Sequence, residues 1–235
     1  MKHICLIACI VILLISVICV ATAETPEEIT FRSIPWYSKL SDVDASVRSI
    51  SGITIPWSPV NEGARIESWF QEYEYSYTDD SVENGGVILS YSNLSVAGYT
   101  ASLKLSFLYS IMDGRVNYSK DDAEFYMAMY TIEGLTDMLS AYKDLRTKLY
   151  GVYGNYDLKN GYHMEGAKWT AKDGSIIWIR VRQNSISDNY EEIKIFYFAP
   201  NGIDRLATLA EQIKQEAIQA EEEERLRNQT NFEGL

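Results

Sequence analysis

The chain has 235 residues, with 33 acidic against 21 basic side chains and a formal net charge of -12 at pH 7. That balance repels phosphate backbones and argues against a nucleic-acid partner; anionic membrane surfaces are disfavoured for the same reason. All three cysteines (Cys5, Cys9, Cys19) precede residue 20, and the two histidines are His3 and His163, so most nucleophilic and metal-binding repertoires are excluded from the rest of the chain.

Lys2 and His3 open the chain, and residues 4–20 form an apolar run interrupted only by Ser16. Ala21-Thr22-Ala23 then supplies the small-x-small pattern that signal peptidase reads, so residues 1–23 are expected to be a signal peptide cleaved before Glu24. An uncleaved anchor is the alternative, because a run of this length is near the lower limit for spanning a bilayer. Either way the folded part is expected outside the cytoplasm, secreted or in the cell envelope, and off the membrane once the leader is cut. No thiol remains there to form a disulfide, so a packed core must supply the stability.

Residues 30–34 read as a short strand stopped by Pro35. Ser41 is the expected N-cap of a helix with Val43, Val47 and Ile50 on one stripe and Gly52 at its end. Residues 53–63, with Pro56 and Pro59, read as a loop. From Arg65 to Tyr77 the pattern is strand-like, with Tyr73, Tyr75 and Tyr77 alternating with polar residues. Asn84-Gly85-Gly86 is a turn signal, and residues 87–92 are the returning strand.

The clearest strand is 99–109. Tyr99, Ala101, Leu103, Leu105, Phe107 and Tyr109 share one face, and Thr100, Ser102, Lys104 and Ser106 take the other. Asp113-Gly114 turns the chain into a strand over 123–132, completing a meander. Leu135, Leu139, Tyr142, Leu145 and Leu149 then lie on one helical face, with Gly151 as C-cap. A loop over 151–166 leads to a second meander of strands at 167–170, 175–182 and 192–198. Asn201 caps a last helix whose stripe is Ile203, Leu206, Ala210, Ile213 and Ala217. Beyond Ala220 the run Glu221-Glu222-Glu223-Glu224-Arg225 reads as a solvated helix end fading into a disordered tail over 221–235.

The expected fold is α+β, with antiparallel meander sheet packed by helices in the order helix–strands–helix–strands–helix and a long C-terminal helix. Residues 24–220 form a single domain on this reading, with two similar halves at 31–132 and 133–220 as an alternative. Sequence support for a duplication is confined to Ile34-Pro35-Trp36 and Ile55-Pro56-Trp57, both in the first half, which reads as coincidence.

Catalytic devices are scarce. There is no Gly-x-Ser-x-Gly elbow, phosphate-binding loop or dinucleotide fingerprint. His163 reads as an exposed loop histidine. The abundant carboxylates, among them Glu72, Glu74, Asp79, Asp80, Glu191 and Glu192, could supply the pair a glycosidase needs, but their frequency makes chance pairs inevitable. The run from Asp79 to Asn84 lacks EF-hand spacing and reads as a solvated turn. No catalytic residue, metal or cofactor is expected.

Seventeen tyrosines and five tryptophans are the more suggestive feature, since both side chains favour positions with one polar end. Ile177, Ile179 and Val181 face one way with Ile193, Ile195 and Tyr197. The opposite face carries Trp178, Arg180 and Arg182 beside Lys194, Phe196 and Phe198. Cations interleaved with rings suggest a ligand platform of Trp178, Arg180, Lys194 and Phe196. The competing reading has the C-terminal helix covering this face while the charges snorkel to its rim.

The opening Phe31-Arg32-x-Ile34-Pro35-Trp36, the strand Val96-Ala97-Gly98-Tyr99-Thr100-Ala101, the helix ending near Tyr150-Gly151 and the hairpin around Trp169 resemble a loose group of bacterial secreted proteins of unknown function. The architecture also resembles the helix-plus-antiparallel-sheet units of β-lactamase-inhibitor-type proteins, which bind other proteins; this is likeness of fold alone. The resemblance implies no catalytic residue. The expected function is therefore a non-enzymatic extracytoplasmic binding module for a protein, peptide or glycan, using an exposed aromatic surface. The alternatives are a carboxylate-dependent hydrolase of cell-wall or dietary glycan and a structural envelope protein without ligand.

Overall fold

The computed structural model describes residues 25–48, 58–67, 81–160, 164–184 and 189–233. The expected leader, Ile50, Gly52, Ile55-Pro56-Trp57, the Tyr73-Tyr75-Tyr77 row, Glu72, Glu74, Asp79, Asp80 and His163 lie outside them. Among the described residues, eight strands form one antiparallel sheet in the order β1-β2-β3-β6-β10-β9-β8-β7. These are β1 (Ser58–Glu67), β2 (Ser81–Val96), β3 (Tyr99–Leu108), β6 (Glu124–Glu133), β7 (Asp157–Leu158), β8 (Met164–Thr170), β9 (Ile176–Gln183) and β10 (Tyr190–Phe198). A separate hairpin is made by β4 (Ser110–Met112) and β5 (Arg115–Asn117). The helices are α1 (Leu40–Arg48), α2 (Met138–Tyr153) and α3 (Gly202–Glu233). The molecule is thus α+β, with a large antiparallel sheet and a long C-terminal helix. No helix among the described residues is long and apolar enough to cross a membrane.

The two meanders meet where β6 pairs with β10, in register from Glu192 opposite Glu133 to Phe198 opposite Met127. Residues directly opposite one another share a face. One face therefore joins Leu103, Tyr130, Ile195, Ile179 and Ala167, and beside them Leu105, Ala128, Tyr197, Ile177 and Trp169. The alternation expected for β3 holds through Leu105, with Ala101, Leu103 and Leu105 buried and Ser102 and Lys104 exposed, but it fails at Ser106, which is buried like its neighbour Phe107.

The segment before α1 and the end of α2 both lie on that face. Phe31 packs its ring 5.6 Å from Tyr130 and 5.5 Å from Tyr197. Trp36 stacks on Phe125 at 5.0 Å and donates its indole N–H to the Ile29 carbonyl. Trp169 donates its own indole N–H to Gly154 O at 2.8 Å, tying the end of α2 to β8. α3 leaves β10 and packs against β2 and β5. Val116 N–H donates to Glu216 Oε1 at 2.7 Å, and Gln212 donates to Gly114 O at 2.7 Å, so the small hairpin is held on α3.

Several local expectations are corrected. Residues 31–34 are a tight turn and not a strand: Ile34 N–H donates to Phe31 O, with Arg32 and Ser33 at φ of 53° and 60°. Helix α1 begins at Leu40 with Lys39 O as its first acceptor, which places Ser41 inside the first turn and not at the cap. Strand β1 starts at Ser58 and accepts Pro59 because it is an edge strand with one side unpaired. Helix α2 starts later than Leu135, capped by Asp137, whose carboxylate accepts from Ser140 N–H. It runs through Gly151 and ends at Gly154, at φ of 74°. Helix α3 continues past Ala220 to Glu233, where Glu222 and Arg225 pair one turn apart.

Asn84-Gly85-Gly86 is not a hairpin turn either. The three residues lie inside β2, where Ala64 pairs with Gly86 but Ile66 pairs with Val82, so β2 carries extra residues in a bulge. Gly86 serves close approach: a Cβ there would lie 1.8 Å from the Phe107 carbonyl oxygen. Gly86→Ala should therefore split β2 from β3 and cost about 3 kcal/mol, measured as a lowered urea midpoint at unchanged slope.

Burial also sets the alkaline limit. Tyr126 and Tyr197 hold their phenolic protons well above the usual value near 10.0, chiefly because burial penalises the phenolate. An unfolded phenol releases its proton as pH passes about 10, whereas the folded ones keep theirs. The folded state then binds more protons, so stability is intact below that pH and falls as pH rises above it. Phenolate absorbance of these residues should appear together with loss of circular dichroism, not before it.

Candidate functional site

The residues anticipated as a platform do come together. Phe196 sits opposite Trp178, and Lys194 opposite Arg180, on adjacent central strands. They are not a surface. Trp178 is 2% exposed, Arg180 3% and Phe196 0%, and the Lys194 side chain is 13% exposed. The burial has a topological cause: β9 and β10 lie inside the sheet, and both of their faces are covered over most of their length.

The charges are accommodated where they stand. Trp178 and Phe196 stack at 5.1 Å, Phe196 and Phe198 at 5.7 Å, and the Arg180 guanidinium lies 5.3 Å from the Trp178 ring and 5.2 Å from the Phe196 ring. Glu192 receives Lys194 at 3.1 Å and Arg182 at 3.3 Å. Burial lowers the Arg180 guanidinium to about 10, with Glu192 opposing the shift, and lowers Lys194 in the same way. The cluster is a packed element of the sheet. Trp178→Ala is expected to cost about 4 kcal/mol through the cavity it opens, read from the denaturant midpoint; an unshifted midpoint would contradict the burial.

Of the candidate carboxylates, Glu191 and Glu192 lie among the described residues, and both are engaged by Arg182. Glu192 is engaged as described, and neighbouring Glu191 is exposed and pairs with Arg182 at 3.5 Å. No group of three or more His, Cys, Asp or Glu residues able to hold a metal occurs among the described residues.

A different aromatic cluster reaches solvent at Tyr150. On α2, Tyr142, Arg146 and Tyr150 follow one another at four-residue spacing and therefore line one side of the helix. Tyr142 is fully buried beneath them, and burial raises its phenol while the neighbouring Arg146 charge pulls it partly back. The Arg146 guanidinium lies 5.3 Å from the Tyr142 ring and 5.8 Å from that of Tyr156, which follows the helix. Tyr156 is braced from behind by Trp169 at 5.0 Å. Tyr150 meets Tyr156 at 6.2 Å and 89°, so the two rings form a corner, and Tyr150 is 48% exposed. Arg146, Thr147, Tyr150 and Tyr156 line a cleft of about 210 Å³ there.

Among the described residues no carboxylate lies within ion-pair distance of Arg146. A half-buried guanidinium close to two rings, without an acidic partner among the described residues, is suited to receive an anionic or polar group. Sequence reasoning missed this site. The four-residue spacing of Tyr142, Arg146 and Tyr150 was a visible signal, but Tyr142 also belongs to the packed stripe of the helix, and only the chain reversal at Gly154 brings Tyr156 alongside. Compared with protein-family models, curated proteins and solved structures, the chain matches none.

Proposed function

We propose that the protein is a non-enzymatic extracytoplasmic binding module that recognises its ligand through the cleft of Arg146, Thr147, Tyr150 and Tyr156. The observation that carries this reading is the Arg146 guanidinium, which has no carboxylate partner among the described residues and lies near the Tyr142 and Tyr156 rings beside the half-exposed Tyr150. Export rests on the leader-like residues 1–23. The same reading takes helix–strands–helix–strands–helix as the plan of the whole domain.

Size limits the mode of binding. At about 210 Å³ the cleft is smaller than the roughly 300–1,000 Å³ of pockets that engulf a drug-sized ligand. It suits one unit of a longer peptide or glycan, with the rest of the chain lying outside. Rings braced by Trp169 and by the helix lose little entropy on binding, which favours recognition by stacking.

An immobilised panel of peptides and glycans tests the proposal. The wild type is expected to be retained on one ligand class without altering it, and Tyr150→Ala to weaken that retention about tenfold through the lost stacking. Equal retention of wild type and Tyr150→Ala, or release of cleaved product from the panel, would overturn it.

A further inference from the structure

We infer that the cleft takes a carboxylated sugar, a uronate residue of a glycan, stacked on Tyr150 with its carboxylate on Arg146. This rests on the binding-module reading above and adds the ligand's chemistry. Three observations lead to it.

First, the cleft is lined by four side chains on the flank of α2 and the turn after it. The main-chain N–H and C=O groups of Arg146, Thr147 and Tyr150 are committed to helical hydrogen bonding, and Gly154 N–H is already donated to Tyr150 O. This helical main chain offers a bound peptide no edge on which to pair its own amides, which is how extended peptides are usually held, and the sheet's terminal strand β7 begins only after Tyr156, at Asp157. A sugar needs none, because its C–H face lies against an aromatic ring and its hydroxyls turn outward. Tyr150 and Tyr156, at 89° to each other, offer one ring to the sugar's face and another to its edge.

Second, the polar group at the cleft is a planar cation. The Arg146 guanidinium presents a donor fork whose geometry matches a carboxylate in two parallel hydrogen bonds, and among the described residues no ion pair uses it up. The Thr147 hydroxyl donates to Lys143 O at 2.8 Å, so its oxygen remains an acceptor for a sugar hydroxyl.

Third, charge selects the density of the ligand. A protein of net charge -12 repels a densely sulfated or phosphorylated polymer at long range. A glycan with isolated carboxylates meets that repulsion least while still supplying the group Arg146 receives.

The test uses the full chain and three probes, followed by calorimetry: an oligosaccharide bearing a single glucuronate, the same oligosaccharide with that carboxyl reduced to the alcohol, and a blocked peptide ending in a free carboxylate. The uronate sugar should bind at least tenfold more tightly than its reduced form. Arg146→Gln should bring the two within about twofold, and Tyr150→Ala should weaken both. The wild-type ratio decides the matter alone if Arg146→Gln fails to fold. Equal affinity for the two sugars, or binding of the peptide but neither sugar, overturns the inference and leaves the binding-module reading standing. Failure of the wild type to bind any of the three overturns the inference; failure on the wider panel as well overturns both.

Discussion

The pairing of β6 with β10 is the constraint on which the rest of the molecule depends. Each strand ends one meander, and their seven-pair register from Glu192 and Glu133 to Phe198 and Met127 makes a single sheet of two four-strand units. Strands at the centre of such a sheet have no edge to expose and little solvent on either face. The side chains of β6, β9 and β10 must therefore be apolar, or polar with a fixed partner. That requirement explains Ala128, Ile179 and Ile195 on one face and Met129, Trp178 and Phe196 on the other.

The same constraint explains the charges inside the sheet. Arg180 is buried, yet a guanidinium is weakly hydrated and flat, so it can be stacked against Trp178 and Phe196 at little packing cost. Lys194 is a compact, strongly hydrated charge and is handled differently: its side chain is 13% exposed and meets Glu192. Glu192 in turn is shared with Arg182, whose side chain is 53% exposed. The charge order thus runs from stacked and buried to paired and solvated along the register. Lowered proton affinity of Arg180 and Lys194 records what that burial costs.

Helix α2 connects this sheet to the surface. Tyr142 and Leu145 bury its inner side, while Asp144 accepts from Tyr99 Oη at 2.9 Å and pairs with Lys148 at 2.7 Å on its flank. With the helix so fixed, Arg146 and Tyr150 are presented on a rigid support. Trp169 then holds both Gly154 O and the Tyr156 ring, which sets the second wall of the cleft from a different meander. A site built this way needs no mobile part to be formed.

Much of the framework could be read directly. Period-2 alternation placed Leu103, Leu105 and Phe107 on one face of β3 and put Trp178 and Phe196 on a common face of β9 and β10, because alternation is a property of the local backbone; their direct pairing came from the register. Exposure was not legible in the same way. Whether the Trp178 face meets water depends on what packs over it, and nothing in the spacing of Arg180 and Lys194 distinguishes a solvated cation from a stacked one. Gly86 shows the same division: glycine signals special backbone needs, but a hairpin turn and a close approach to Phe107 O look alike until the neighbouring strand is in place. By itself, then, the sequence determined the class of fold, the face each strand residue takes and an acidic chain whose cysteines all precede residue 20. Which aromatic face stays open, and that Tyr156 closes a corner beside Arg146, was decided only in three dimensions, because burial is a relation between distant segments and periodicity is a relation between near ones.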